Sequence, residues 1–347
     1  MHYLFLLHGM GQQGHGWAVD HIELIENLAA EYSGQSVKTL QKRVEIVELE
    51  YDTLLDGIMT RLLEDGEGLG SFNENLKNAK EGSLEEFIRK SALDVTGYIW
   101  HSDTCINVLN KLAIDLLSVI APDPLKNQFS ILCHSLGTKV GFDLLHLLYA
   151  EELSSNGNQS DVELFKLRSN WDPVATSPRF QNLYLVANVM PLLNLVDLQT
   201  FSASDSHVRA RINDIPYQGG ILNNYRIFNN HYDPIARMGR TSHIPENVYT
   251  EEIVLAQAHK LNMHSLEEYL AHPRVHIPII EDVYGIDVEN KGALISEYLL
   301  AHKDSKIEIA LDTALSVLPE LSSTNPPALL DYFGSLAELF VDIQSGG

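Results

Sequence analysis

Short apolar runs alternate along this chain with longer segments in which apolar residues recur at helical spacing. The continuous apolar run over residues 3–7 is typical of a strand buried on both faces of a parallel sheet. Residues 44–49 are a second strand candidate, and residues 129–133 are predicted to form the next buried strand. Three later strands are predicted over residues 183–190, 225–229 and 253–258. Between and after these strands, apolar residues at helical spacing predict helices over residues 22–32, 52–63, 84–120 and 139–153, and from residue 266 onward.

This alternation predicts an α/β fold with a doubly wound, mostly parallel sheet. We expect one domain over residues 1–280, interrupted by helical insertions at about residues 53–122 and 192–220. Either insertion is a candidate for a lid. Residues 281–347 are predicted to form an acidic helical extension packed on the same domain.

The charge balance narrows the range of partners. The chain of 347 residues has 47 Asp and Glu against 24 Lys and Arg, a formal net charge of −23. Such a surface repels phosphate backbones, and no local basic patch offsets it. We therefore expect no nucleic-acid partner.

The first residues and the cysteines bear on the compartment. The apolar run at residues 3–7 is short, no Lys or Arg precedes it and no small-residue cleavage site follows, so we expect no signal peptide. No apolar run is long enough to span a bilayer. Two cysteines, Cys105 and Cys133, are too few for a disulfide framework. These features predict a cytoplasmic protein whose oligomeric state the sequence does not specify.

The segment Cys133-His-Ser-Leu-Gly137 joins a predicted buried strand to a predicted helix. A serine on so sharp a turn is held with its hydroxyl above the sheet, and small residues two positions before and after it let strand and helix approach each other. Gly137 meets this requirement, and Cys133 stands where glycine is usual. We predict Ser135 as a nucleophile; the alternative is a serine that only caps the helix.

A glycine-rich loop follows the first predicted strand. Hydrolases that pass through a tetrahedral intermediate need two backbone N–H groups aimed at the developing oxyanion. Leu136, directly after the nucleophile, supplies one in this interpretation, and Met10, between Gly9 and Gly11, supplies the other. The loop also matches a dinucleotide-binding pattern, but no acid is clearly placed at a strand end about 20 residues on.

The acid is predicted from the order Ser, Asp, His and from placement at a strand end. Asp233, followed by Pro234, comes after a short polar loop at the end of the strand predicted at residues 225–229. The alternative is an ordinary Asp-Pro turn. Asp205 and Asp197 are the fallback acids.

Fifteen histidines make the base harder to choose. His264 stands just before Ser265-Leu-Glu-Glu268, a capping-box pattern that predicts a helix start. A histidine there can reach back over the sheet, so we predict His264 as the base. His259 is the fallback, and His243 and His276 are weaker candidates.

Three segments together resemble the α/β-hydrolase superfamily, in particular its lipase- and esterase-like members. They are His8-Gly-Met-Gly11, His134-Ser-Leu-Gly137 and Asn230-His-Tyr-Asp-Pro234, within a resemblance that covers about residues 3–269. It implies that Ser135, Asp233 and His264 form a triad, with Met10 and Leu136 as the oxyanion hole. It further implies that a small-molecule acyl substrate, a carboxylic ester, is hydrolysed through an acyl-enzyme, without metal or organic cofactor.

Three other interpretations remain open at this point. The same fold hosts peptidases, thioesterases and amidases, and it also hosts proteins that bind a ligand or partner without catalysis. A dinucleotide-dependent enzyme is a weaker alternative.

Overall fold

The computed structural model describes residues 1–9, 14–51, 53–55, 98, 102–120, 126–149, 180–190, 222, 224–233, 236, 249–253 and 264–302. The insertion predicted at residues 192–220 lies outside these residues, as does the extension beyond residue 302. Of the insertion at 53–122, the described parts are residues 53–55, 98 and 102–120.

Six strands form one sheet in which every neighbouring pair is parallel. The sheet confirms the α/β class predicted from the alternating apolar runs, and four strands match their predicted bounds to within one residue at each end. In chain order the strands are β1 His2–Leu7, β2 Val44–Leu49, β3 Gln128–His134, β4 Phe180–Val186, β5 Asn224–Asn230 and β6 Tyr249–Ile253. Their spatial order is β2-β1-β3-β4-β5-β6.

The other two strands differ from the prediction. β4 ends before the predicted residue 190 because Ala187 adopts a positive φ of 51°, which leaves the extended conformation. β6 overlaps the predicted 253–258 strand only at Ile253, and residues 254–258 lie outside the described part. Most of its side chains are exposed, so a search for buried apolar runs misses its polar first half.

The described helices are α1 Val19–Ser33, α2 Val37–Leu40, α3 Ser102–Ile120, α4 Leu136–Tyr149, α5 Leu266–Ala271, α6 Pro273–Tyr284 and α7 Lys291–Ala301. Five of them pack in two groups. α1, α5 and α6 contact one another, and their apolar side chains form a cluster with Leu4, Leu6 and Tyr184 of the sheet. α3 and α4 pack together, and α4 contacts β1 and β3.

Two further findings concern the helices. Ser265 is the N-cap of α5, but its side chain makes no capping hydrogen bond, so the predicted capping box does not form there. Within the described ranges, no helix is both long and apolar enough to cross a membrane.

The register of the sheet defines where a site can form. Leu7 lies level with Cys133, His134 with Val186, and Asn230 with Ile253, so the carboxyl ends of five strands meet at one edge. The chain proceeds from β1 outward to β2 and then returns to β3 on the other side of β1. Connections that leave two adjacent strands in opposite directions open a crevice at their carboxyl ends, and here that crevice lies between β1 and β3.

Candidate active site

Ser135 is the single residue between β3 and α4, and it has a left-handed backbone with a φ of 55°. This conformation is uncommon for a residue other than glycine and persists where neighbouring contacts enforce it. The Ser135 N–H donates to the Val186 carbonyl at 3.0 Å, and the Thr138 N–H donates to the Ser135 carbonyl at 2.9 Å. The Thr138 hydroxyl donates to the same carbonyl at 2.6 Å. The predicted strained turn is therefore present and fixed from two sides.

The turn depends on close backbone approach at two glycines. A Cβ atom on Gly9 would lie 2.5 Å from the Ser135 Cβ, and one on Gly137 would overlap the carbonyl oxygen of His8. Real Cβ atoms do not come so close, so both positions need glycine. The end of β1 is consequently packed directly against the nucleophile turn.

Cys133 stands where the elbow pattern usually has glycine, and the structure shows how its side chain fits. The Cys133 Sγ occupies the space that a Cβ on Gly141 would take, one helical turn after Gly137. Cys133 is fully buried. A second glycine in α4 therefore makes room for the sulfur and keeps strand and helix in contact.

Ser135, His264 and Asp233 form one chain of hydrogen bonds. The Ser135 Oγ lies 2.6 Å from His264 Nε2, and His264 Nδ1 lies 2.6 Å from Asp233 Oδ2. Because a carboxylate only accepts, the imidazole donates from Nδ1, and Nε2 is left to accept the proton of the serine hydroxyl. All three side chains are buried. The structure thus brings together the three residues that the sequence predicted as nucleophile, base and acid.

The first amide of α4 belongs to Leu136, the residue predicted as one oxyanion donor. The first N–H groups of a helix have no partner inside the helix and point toward its amino end. Leu136 follows Ser135 directly, so its amide lies beside the predicted nucleophile. Met10, the other predicted donor, lies outside the described residues.

The residues at the end of β1 are anchored by Tyr51. His8 Nδ1 donates to the Gly9 carbonyl at 2.7 Å, and His8 Nε2 accepts from the Tyr51 N–H at 3.3 Å. The Tyr51 ring stacks on the His8 ring with centroids 4.2 Å apart, and its hydroxyl donates to the carbonyls of His8 and Gly9. Both carbonyls next to the nucleophile turn are therefore fixed by side chains.

The His134 side chain forms a hydrogen bond to the backbone of His264. Its Nε2 donates to the backbone carbonyl of His264 at 2.7 Å. Burial, followed by the nearby His264 ring, holds the pKa of His134 well below the ordinary histidine value. His134 is therefore neutral, and it acts as a hydrogen-bond donor to the backbone of the base.

Tyr269 is a site residue that the sequence analysis missed. Its hydroxyl donates to Asp233 Oδ2 at 3.1 Å and accepts from the Asn230 N–H at 2.8 Å. The other oxygen of Asp233, Oδ1, accepts from the Ala236 N–H at 3.1 Å. The sequence placed Tyr269 in a helix, and no motif signals a hydroxyl that reaches a loop 36 residues away.

Of the remaining candidates, only His276 is among the described residues, and its hydrogen bonds are made away from Ser135. His276 accepts from the Tyr32 hydroxyl and donates to the Leu270 carbonyl, and burial lowers its pKa to about 4. Pro234 and the fallback residues His259, His243, Asp205 and Asp197 lie outside the described residues.

One group in the described part has the spacing of metal ligands: His15, Glu48 and Glu50. His15 is exposed, and both Glu48 carboxylate oxygens already accept backbone N–H groups, from Gly16 and Ala18. These bonds assign Glu48 to fixing the loop before α1, so the group gives no support for a metal centre.

Comparisons with protein-family profiles, with curated proteins and with solved structures gave no match for this chain.

Proposed function

We propose that this protein is a serine hydrolase of the α/β-hydrolase fold that cleaves a carboxylic ester through an acyl-enzyme. The observation that carries the proposal is the continuous hydrogen-bonded chain from Ser135 through His264 to Asp233. It is supported by the strained serine between a buried strand and a helix, the arrangement that the nucleophile-elbow motif requires. The chain order Ser, Asp, His agrees with that fold.

In the first half-reaction, His264 Nε2 takes the proton of the Ser135 hydroxyl as the oxygen attacks the acyl carbonyl. Asp233 accepts the Nδ1 hydrogen bond and stabilises the imidazolium that forms. The Leu136 amide donates to the developing oxyanion, and Met10 is the proposed second donor; loss of one such donor costs about a hundred- to thousand-fold in rate. The imidazolium then gives its proton to the departing alcohol oxygen.

In the second half-reaction, the acyl group is bonded to Ser135 and a water molecule takes the place of the alcohol. His264 Nε2 removes a proton from this water as its oxygen attacks the ester carbonyl. Collapse of the second tetrahedral intermediate breaks the bond to Ser135 Oγ, and His264 returns the proton to that oxygen. The products are an alcohol and a carboxylic acid, and no other reactant is consumed.

The choice of an ester is tested with a panel of p-nitrophenyl esters, acyl-CoA thioesters and aminoacyl anilides. Amides are intrinsically less reactive and need a protonated nitrogen leaving group, so they demand more of His264 as an acid. We expect the highest kcat/KM for the esters. Faster turnover of thioesters or anilides would move the proposal to another class on the same fold.

The hydrolase mechanism is tested with a fluorophosphonate probe, which reacts with activated serines. We expect the folded protein to be labelled and the Ser135→Ala variant to be unlabelled. Loss of a triad nucleophile also lowers kcat by about a million-fold. The matched control is Ser130→Ala, because Ser130 is a buried serine in β3, the strand that ends just before Ser135, and its hydroxyl also contacts a histidine. Labelling that survives Ser135→Ala, or an unlabelled folded protein, contradicts the proposal.

A further inference from the structure

We propose that Tyr269 is a positioning residue for the Asp233–His264 pair and forms the far end of an extended chain from Tyr269 to Ser135. The inference rests on the proposed function and deepens it. It adds a tyrosine hydroxyl that orients the acid and moderates its charge.

The Tyr269 hydroxyl contacts the same Asp233 oxygen as His264 does. Asp233 Oδ2 accepts both the His264 Nδ1–H at 2.6 Å and the Tyr269 hydroxyl at 3.1 Å. Two donors on the oxygen that faces the base, together with the Ala236 N–H on Oδ1, restrict rotation of the carboxylate. The carboxylate is thereby aligned with the imidazole before any substrate binds.

The Tyr269 hydroxyl also connects two separate segments of the chain. Tyr269 lies in α5, which begins two residues after His264. Its hydroxyl accepts from the N–H of Asn230, the last residue of β5, three residues before Asp233. One buried oxygen therefore connects the segment that carries the base to the segment that carries the acid.

The Tyr269 hydroxyl also reduces the negative charge on the Asp233 oxygen that faces His264. A hydroxyl that donates to a carboxylate draws electron density from it, so the carboxylate attracts the Nδ1 proton of His264 less strongly. Removing the hydroxyl changes both the alignment of Asp233 and the strength of its bond to His264. A tyrosine that only filled space in the core would affect neither.

The test compares Tyr269→Phe with Tyr184→Phe. Tyr184 is a matched control because it is also fully buried and its hydroxyl also donates to a carboxylate, Asp282, at 3.0 Å. Two quantities are measured on the full chain: the rate constants of fluorophosphonate labelling, and the downfield proton resonance expected for a short N–H···carboxylate bond. The His264→Ala variant assigns that resonance.

We expect Tyr269→Phe to lower the maximal labelling rate constant about tenfold, because the lost alignment of Asp233 outweighs its stronger attraction for the His264 proton. Tenfold corresponds to about 1.4 kcal/mol, close to the contribution of one hydrogen bond to a charged group. The probe's binding constant is expected to stay within about twofold, because Tyr269 does not contact the substrate. The resonance is expected to shift or disappear in Tyr269→Phe and to remain in Tyr184→Phe. These changes together support the proposal.

The inference is overturned if the wild type is labelled and Tyr269→Phe leaves either the rate constant or the resonance unchanged. It is also overturned if Tyr184→Phe produces the same changes, because the effect would then follow from any lost tyrosine hydroxyl. Absence of labelling in the wild type contradicts the proposed function itself, and the inference with it. The two failures are therefore distinguishable.

Discussion

Two serines, one within β3 and one directly after it, have hydroxyls that contact histidine rings. The surroundings of the two serine–histidine pairs differ. Ser130 Oγ lies 2.7 Å from His2 Nε2, and Ser135 Oγ lies 2.6 Å from His264 Nε2. The two distances are nearly equal, and both serines are buried. A short contact between serine and histidine therefore does not identify a nucleophile.

The Ser130 end of the strand is part of a polar ladder. The Ser130 oxygen accepts from the Asn182 side-chain amide at 2.7 Å, and Asn182 Oδ1 accepts from the Asn224 amide at 2.8 Å. The ladder thus connects His2 on β1 with residues on β3, β4 and β5. Since buried polar groups are stable only when they are paired, these contacts favour one register of the sheet.

The Ser135 end differs in three respects. Ser135 has a positive φ, whereas Ser130 lies within β3 and pairs with Leu4 of β1. His264 donates a hydrogen bond to the Asp233 carboxylate. His2 contacts Ser130, and burial lowers the pKa of His2 to about 4. Helix α4 begins directly after Ser135, so its first backbone N–H groups lie next to that serine. These features, rather than the contact between serine and histidine, carry the proposed chemistry.

The largest expected effect separates the two histidines. His264→Ala removes the base, and kcat for ester hydrolysis is expected to fall by about a million-fold. His2→Ala is expected to leave the fluorophosphonate labelling rate of the folded protein unchanged, because His2 lies at the amino end of β1, away from Ser135. Ester hydrolysis and fluorophosphonate labelling are both measured for the two variants, on samples with native circular dichroism. An equal loss in the two variants would show that the comparison is wrong.

The sequence predicts those residues of the Ser135 site that can be chosen from their order along the chain and from the strands that precede them. Ser135, Asp233 and His264 could be chosen because each follows a predicted strand in the order that the fold requires. Tyr269 and His134 could not be chosen, because their roles depend on hydrogen bonds between residues far apart in the chain. β6 was misplaced because burial of apolar side chains, the signal that was used, is weak in its exposed first half.

The next effect tests the packing that lets the elbow form. A Cβ on Gly141 would overlap the Cys133 sulfur, so Gly141→Ala is expected to lower the free energy of unfolding by about 3 kcal/mol. Removal of the sulfur in Cys133→Gly opens that space. The double variant is therefore expected to be less destabilised than the sum of the single variants, with a coupling of about 1–3 kcal/mol.

The matched control for this cycle is Gly292→Ala. Gly292 also lies in a helix, α7, but a Cβ there would meet nothing within 4 Å. Alanine is expected to stabilise that helix slightly, by up to about 1 kcal/mol. Urea unfolding measures all four variants. Additive single effects at residues 133 and 141 would mean that Gly141 does not accommodate the sulfur.

The last expected effect, which appears only gradually with pH, is the pH dependence of the Ser130 end. Burial is the main cause that lowers the pKa of His2 from 6.5 to about 4, so between these values the unfolded chain binds a proton that the folded chain excludes. The stability contributed by neutral His2 is fully present above pH 6.5. It declines as the pH falls toward 4, by at most about 1.4 kcal/mol per pH unit.

His272 and His276, whose pKa values are lowered to about 3 and about 4, add slopes of the same sign, so wild-type unfolding alone does not isolate His2. His2→Gln keeps a hydrogen-bonding side chain next to Ser130 and does not titrate. Urea unfolding between pH 4 and 6.5 is expected to give the wild type a steeper loss of stability than this variant. Parallel curves would show that His2 is not excluded from protonation in the folded state. A steeper wild-type curve, with equal labelling rates for the two folded proteins, would assign the Ser130–His2 pair to stability and leave Ser135–His264 as the reactive pair.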